Sequence, residues 1–226
     1  ITATEKAYVY SDELQATLPG RLAYLLHARY LNTKTGIAVI SCDNLSGNGA
    51  ITKSLVLKSA GFLADDGFIN WIDKEVRFPS TMVDRIVPAA KEPGVLVTEP
   101  FIQWVIEKDP IEKYLCGVGI QFVDDVAGYE LMKLRLFNAV HSALAYIGEL
   151  ANIDYVAQVI KDPRHEQLVK DIQEQAAASF VVPAGESAAD YSTAIRKRIA
   201  NPSLGHRSQQ IAMDGSQKLP HRVFKT

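Results

Sequence analysis

The sequence predicts an α/β segment, the tail of a doubly wound sheet, followed by a mainly α-helical segment. Three observations carry that reading. Ile37-Ala38-Val39-Ile40-Ser41-Cys42 is a short continuous apolar run between polar segments, the pattern of a buried parallel strand. Helical patterns flank it on both sides. From Asp124 onward the chain reads as helix after helix, punctuated by Pro163, Pro183, Pro202 and Pro220. At roughly 150 residues per domain, 226 residues make one large domain or two small ones. We place the division at 1–66 and 67–226. No flexible-linker composition marks it, so tight packing is expected.

Taken in order, Thr2–Tyr10 is rich in β-formers and reads as a strand. Leu22–Leu31 is apolar on one face and reads as a helix, broken by Gly36. After the apolar run, Asp43–Gly49 is a loop by composition. Ala50–Leu63 reads as a helix capped by Asn48 or Gly49. The pattern is β-α-β-α, and ligands in such sheets sit at the carboxyl ends of strands, where the Asp43–Gly49 loop lies. Phe68–Val76 reads as a short helix and Arg77–Pro88 as extended chain. Lys91–Gly94 reads as a turn, and Val95–Ile106 as a strand that Pro100 confines to an edge or a bulge. Gly119–Val123 is a further strand. Asp124 or Asp125 caps a helix running to about Leu150. Helices at Tyr155–Lys161, His165–Ser179, Ser187–Ile199 and Gly205–Met213 follow.

Composition excludes several classes. Hydrophobic residues make up 47% and charged residues 22%, which rules out disorder and collagen-like repeats. With 24 basic against 26 acidic residues, there is no excess charge to attract nucleic acid or anionic lipid. No apolar run reaches the roughly 18 residues of a membrane span, and no signal peptide is visible. Cys42 and Cys116 are too few for a disulfide scaffold or a four-Cys zinc site. They point to a reducing compartment, so a cytoplasmic location is expected. The five histidines are scattered without ligand spacing, so no metal is expected.

The helix after Asp125 carries the most chemistry. Leu131, Met132, Leu134, Leu136, Phe137, Val140, Leu144 and Ile147 surround it almost completely, and such a helix is buried. Yet it holds Lys133, Asn138 and His141. At about 100° per residue, Asn138 lies about 140° and His141 about 80° from Lys133, so all three share one side. Burying a lysine or an amide is expensive unless a site needs it. The bland reading is a snorkelling lysine and a satisfied core histidine. The functional reading is a lysine brought toward neutrality for proton exchange, an amide donor for an oxyanion, and a histidine that orients substrate. Asn44, in the Ser41–Gly49 loop, is either a second amide donor or part of a capping turn. Asp84 either holds a sugar hydroxyl or pairs with Arg85 or a distant cation. Lys218 and Arg222 are either solvated charges or cations for an anionic substrate. Gly47-Asn48-Gly49 and Gly117-Val118-Gly119 lack the third glycine of a dinucleotide fingerprint.

TATEKAY, VISCDNLSGNG, FPSTMVDRIVP, TEPFIQWVIE, VGIQFVDDVAGYELMKLRLFNAVHSALAY and QIAMDGSQKLPHR, in that order, resemble the polyol-specific long-chain dehydrogenases, the mannitol dehydrogenase family. The resemblance spans Thr2 to Arg222. It implies a Rossmann-type domain binding NAD, followed by a mainly helical domain that supplies the catalytic helix, and chemistry without a metal. It further implies Lys133 as general acid/base, Asn44 and Asn138 as the oxyanion hole, and His141 as a substrate-orienting residue. Val83 and Asp84, in the Val-Asp-Arg motif, would lie near nicotinamide and substrate. Lys218 would contact substrate.

Mannitol-type members tend to carry an arginine where this chain has Gln210. QIAMDGSQKLP is more similar to the fructuronate reductase branch, whose substrate carboxylate Lys218 or Arg222 would pair with. The expected reaction is therefore interconversion of D-mannonate and D-fructuronate. Mannitol or arabinitol oxidation is the alternative within enzymes, and a non-catalytic helical binding module is the alternative of another class. The partner is a small sugar or sugar acid. The family's glycine-rich loop belongs ahead of the Thr2–Tyr10 strand, so the chain is expected to be part of a longer enzyme. Two stretches, Pro88–Val97 and Glu107–Gly117, are shorter than the family pattern.

Overall fold

A computed structural model describes residues 17–222 apart from 89, 91, 116 and 118. The strand expected at Thr2–Tyr10 and Cys116 lie outside the described residues. The chain divides into two compact units, Ile1–Val83 with Gln103–Val126 and Asp84–Ile102 with Ala127–Thr226.

Unit one opens with helix α1 (Leu18–Asn32). Thr17 caps it, its hydroxyl accepting from the Gly20 N–H at 3.2 Å, with Pro19 in the first turn where its missing N–H costs nothing. Strand β1 (Ile37–Ala38) follows, then α2 (Asn48–Gly61) and α3 (Asp66–Glu75). Asp65 caps α3 through the Phe68 N–H at 2.9 Å and also meets His27 at 3.2 Å. Ala23, Leu26, Val56, Ala60, Phe68, Trp71, Ile72 and Val76 form the core between these three helices. Strand β2 (Val76–Arg77) pairs parallel with β1, Ile37 opposite Val76. A second sheet orders β3 (Thr81–Asp84), β4 (Gln103–Glu107) and β5 (Ile120–Val123). β4 and β5 are parallel, Trp104 opposite Ile120, joined through the short α4 (Glu112–Leu115).

Two strand expectations are corrected. The run Ile37–Cys42 is a strand only over Ile37–Ala38, and Ile37 and Cys42 are exposed. Past Val39, whose N–H still donates to Arg77 O at 2.8 Å, the backbone leaves the ladder, and the Ser41 carbonyl accepts from the Thr81 hydroxyl at 2.5 Å instead. Val95–Ile106 is a strand only from Gln103. Pro100 has no N–H to give, and Val95, Leu96 and Val97 are exposed despite their apolar character. The preceding residues are tied locally, with Thr98 Oγ1 donating to Ile86 O at 3.2 Å.

The cap of α2 is Gly47, in the left-handed region at φ 64°, rather than Asn48 or Gly49. Asn48 is instead a buried knot. Its amide donates to Asp43 O and Thr81 O at 2.9 Å each, and its oxygen accepts the Thr81 N–H at 2.9 Å. Gly49 then passes against the backbone of the Phe78–Ser80 turn. A Cβ there would strike Phe78 O and lie 2.8 Å from Ser80 N. Gly49→Ala is expected to destabilise the protein by about 1–3 kcal/mol, because the obstruction is backbone and cannot swing aside. Urea unfolding checks this, and a change below about 0.5 kcal/mol would refute it.

Unit two is built on one long helical run: α5 (Ala127–Lys133), a π-helical turn (Leu134–Asn138) and α6 (Ala139–Ala151). Met132, Leu136, Val140 and Leu144 are fully buried along it. Around it lie α7 (Val156–Val159), α8 (Pro163–Ala177), α9 (Ala188–Ile199), the 3₁₀ turn Pro202–Leu204, α10 (Ser208–Ala212) and α11 (Gly215–Arg222). α8 and α9 pack on the π turn, α10 on α6, and α11 on both. Pro220 lies inside α11 rather than ending a helix. Among the described residues no helix is long and apolar enough to cross a membrane.

Candidate active site

The expected face of the long helix is present in unit two. Lys133 and Asn138 are each 8% exposed and His141 is 7% exposed. The π turn changes their alignment. Ala139 N–H donates to Leu134 O, an i→i−5 bond, so the turn takes up one extra residue. That residue removes about 100° from the angle accumulated after Lys133. Asn138 then stands about 40°, and His141 about 20°, from Lys133, instead of the 140° and 80° of an unbroken α-helix. The three side chains form a column rather than a broad side.

A side chain from α8 supports the wide turn. Gln173, buried, donates from Nε2 to Leu136 O at 3.0 Å, inserting into the helical ladder. Its Oε1 accepts from Arg196 Nη1 at 2.6 Å.

Asp84 does pair with a distant cation, and it is not Arg85. Arg198 Nη1 donates to Asp84 Oδ2 at 2.7 Å and its Nη2 to Asp84 Oδ1 at 2.9 Å. The same guanidinium reaches Glu99, Nε to Oε2 at 2.9 Å and Nη2 to Oε1 at 2.6 Å. Tyr191 adds a hydroxyl bond to Asp84 at 3.3 Å. Arg198 also lies 3.9 Å from the Phe101 ring centroid and 4.9 Å from that of Phe137. Burial alone would lower the Arg198 pKa, but its bonds to Asp84 and Glu99 raise it overall. The cluster is two carboxylates on one cation, all buried.

This cluster bears on Lys133. Burial pushes the Lys133 pKa down. Asp84 opposes that, while Arg198 and Arg222 add to it. His141 is pushed well below its ordinary value by burial, then by His206, Arg222, Arg198 and Lys218. It is a neutral imidazole at pH 7. Phe137 stacks on it at 5.1 Å.

Arg222 donates to Ser142 Oγ at 3.1 Å, next to His141 in the chain. Lys218 turns back on its own segment, donating to Met213 O at 2.6 Å. Gln210 is half-buried on α10. Asn44 and Val83 belong to unit one, where Asn44 is exposed and Val83 half-buried on β3. Beside the Asn44 loop lies a cavity of ≈ 380 Å³, lined in part by Leu18, Leu22, Val39, Asp43, Leu45 and Asn48. Its size is within the about 300–1,000 Å³ of small-molecule pockets. Partial desolvation of the sulfur and the Asp43 carboxylate push the Cys42 thiol pKa up. Among the described residues no group of three acidic, histidine or cysteine side chains is placed to hold a metal.

Arg198, Glu99, Gln173, Asn48 and His206 stand out only in three dimensions. Arg198 sits in a basic helix end, Arg196-Lys197-Arg198, that reads as solvated charge. Asn48 was legible only as a cap.

Fold and site together define a class: a Rossmann-type domain followed by a mainly helical domain with a buried lysine column. A family model described as the mannitol dehydrogenase Rossmann domain matches residues 2–115, and one described as the mannitol dehydrogenase C-terminal domain matches residues 125–226. D-mannonate oxidoreductase of Escherichia coli K12 is 38% identical over 99% of this chain and 53% of its own length. Mannitol dehydrogenase 2 of Saccharomyces cerevisiae is 32% identical over 99% of this chain and 52% of its own. The Pseudomonas fluorescens mannitol 2-dehydrogenase ternary complex with NAD and D-mannitol superposes with a TM-score of 0.78 at 30% identity, over 91% of this chain and 45% of that one. The chain belongs to the mannitol dehydrogenase family. It spans about half the length of the curated relatives it matches.

Proposed function

We propose that this chain carries the catalytic residues of an NAD-dependent oxidoreductase that interconverts D-mannonate and D-fructuronate. The column of Lys133, Asn138 and His141 in a buried helix is the observation that carries the reading. NAD(H), when bound, supplies or accepts the hydride. As a ketone carbon gains hydride, its C=O electron pair moves to oxygen. The amide N–H groups of Asn138 and Asn44 stabilise the charge there. Lys133 Nζ gives that oxygen its proton, and His141 orients the substrate. In oxidation, neutral Lys133 takes the hydroxyl proton. Val83 and Asp84, at the end of β3, serve nicotinamide and substrate, and Asp84 acts through Arg198. Arg222 and Lys218 receive the carboxylate, with Gln210 standing where mannitol-type relatives tend to carry an arginine.

The sugar-acid reading is supported by the positive surroundings of His141 and by the D-mannonate oxidoreductase relative. The test is NADH oxidation by the purified protein with D-fructuronate and D-fructose side by side. Fructuronate preference is expected. Fructose preference would leave the lysine column its role and replace the substrate with an uncharged polyol, as in the relative complexed with D-mannitol.

The lowered Lys133 pKa sets a pH dependence. Oxidation needs the neutral amine, and burial favours that form, so log(kcat/KM) for the alcohol is expected to rise with pH and level off below the ordinary lysine value of 10.5. A pH–rate profile checks this. A limb at or above 10.5 would show that Lys133 is solvated.

A further inference from the structure

We propose that His206 is a substrate-binding residue that, with His141 and Arg222, receives the carboxylate end of a sugar acid. The assignment deepens the sugar-acid reading above and rests on it. Buried polar atoms almost always have a partner, so those that do not are informative. Within unit two, among the described residues, two side-chain atoms are buried and unpartnered: His141 Nε2 and His206 Nδ1. They belong to adjacent imidazoles, ring centroids 4.7 Å apart and planes 68° apart, an edge-to-face contact. Two residues distant in sequence thus bring idle nitrogens to one place.

The charges around the pair indicate what they await. Burial lowers the pKa of His206, with Glu99 opposing, and lowers that of His141 further. Both rings are therefore neutral at pH 7, each with one N–H donor and one acceptor nitrogen. The charge of Arg198 is offset by Asp84 and Glu99, whereas Arg222 and Lys218 place positive potential on His141. A neutral hydroxyl would leave that potential uncompensated. A carboxylate offers two oxygens and about four lone-pair sites, enough for an N–H from each imidazole and a guanidinium contact.

His206 is held ready for this role. Its carbonyl accepts the Val156 N–H at 3.3 Å, and Tyr155 pairs with Arg207 as an antiparallel bridge. Ser208 fastens the other side, N–H to Asp154 O at 2.8 Å and Oγ to Ile153 O at 2.9 Å. Gly148 on α6 lets Ser208 approach: a Cβ there would lie 2.9 Å from Ser208 Cβ. The ring is aimed by a fastened loop rather than by chance, as a binding residue requires.

The experiment compares wild type, His206→Leu and His206→Asn in NADH oxidation with D-fructuronate and D-fructose, with a thermal melt of each. His206→Leu is expected to raise KM for D-fructuronate on the order of ten- to a hundredfold, the loss of one hydrogen bond to a charged group. kcat and the melting temperature should move little, and KM for D-fructose should move less than that for D-fructuronate. His206→Asn, which keeps an N–H close to the Nδ1 position, should recover most of the loss. An unchanged KM in His206→Leu, or equal increases for both ketoses, overturns the assignment. If the leucine variant does not fold, His206→Asn against His206→Gln decides: equal KM values for D-fructuronate overturn it. Wild type that reduces D-fructuronate while the variants behave alike refutes only the His206 role. Wild type that leaves D-fructuronate unreduced refutes the sugar-acid reading and this assignment together.

Discussion

Lys133→Ala is expected to lower kcat by about 10²–10⁴-fold, the range of general acid–base catalysis, with little change in stability. Lys133 is the last residue of α5 and is buried, and its ammonium is costly there. Removing it relieves that cost, so the fold should persist while the proton path is lost. Lys133→Arg should also fail, because a guanidinium does not surrender its proton near neutral pH. The measurement is single-turnover hydride transfer followed by NADH absorbance, with a melt to confirm folding. A variant that retains more than about a tenth of wild-type kcat would remove Lys133 from the chemistry.

Arg198→Met is expected to be the most damaging substitution for stability, at about 3–5 kcal/mol. Asp84 and Glu99 are each 3% exposed, and Arg198 is the cation that both hold. Without it, two carboxylates stay buried beside each other. Methionine fills similar volume and packs on Phe101 and Phe137, so the loss reports charge rather than a cavity. Pairing Arg198→Met with Glu99→Gln should recover part of the loss by removing one orphaned charge. Urea unfolding of the single and double variants makes the comparison. A single variant within about 1 kcal/mol of wild type would show that the cluster is solvated or dispensable.

Much of the site was legible because its signal is local. A lysine, an asparagine and a histidine in an otherwise apolar helix are anomalous wherever the chain goes next, since burial of an apolar helix follows from its composition. Helix starts were only partly legible: Ser187 marks its helix as expected, whereas the caps Thr17, Asp65 and Asp162 lie three to five residues ahead of the starts expected at Leu22, Phe68 and His165. The precise column was not legible. A π turn has no strong local code, and this one is supported by Gln173, 37 residues beyond Leu136. Counting at an even 100° per residue therefore spread the three side chains too widely.

Strand extents were also overestimated. Whether Ile40 or Val97 joins a sheet depends on which backbone lies alongside, and apolar character alone does not supply one. In the former case Asn48 and Thr81 draw the loop backbone away. In the latter, the segment wraps to deliver Glu99.

Local chemistry, then, was sufficient for most of the helices and for the polar residues of the apolar helix, since each depends on residues within a turn or two, while the family was legible from six ordered motifs along the chain. Pairing over long separations was not. Arg198 meets Asp84 across 114 positions and Glu99 across 99, and His206 meets His141 across the loops between α6 and α10. A charged or imidazole side chain reads the same on a surface as in a core. Only the packing of α8, α9 and α10 around the long helix decides which of them lose water, and a group that loses water must find a partner or a ligand.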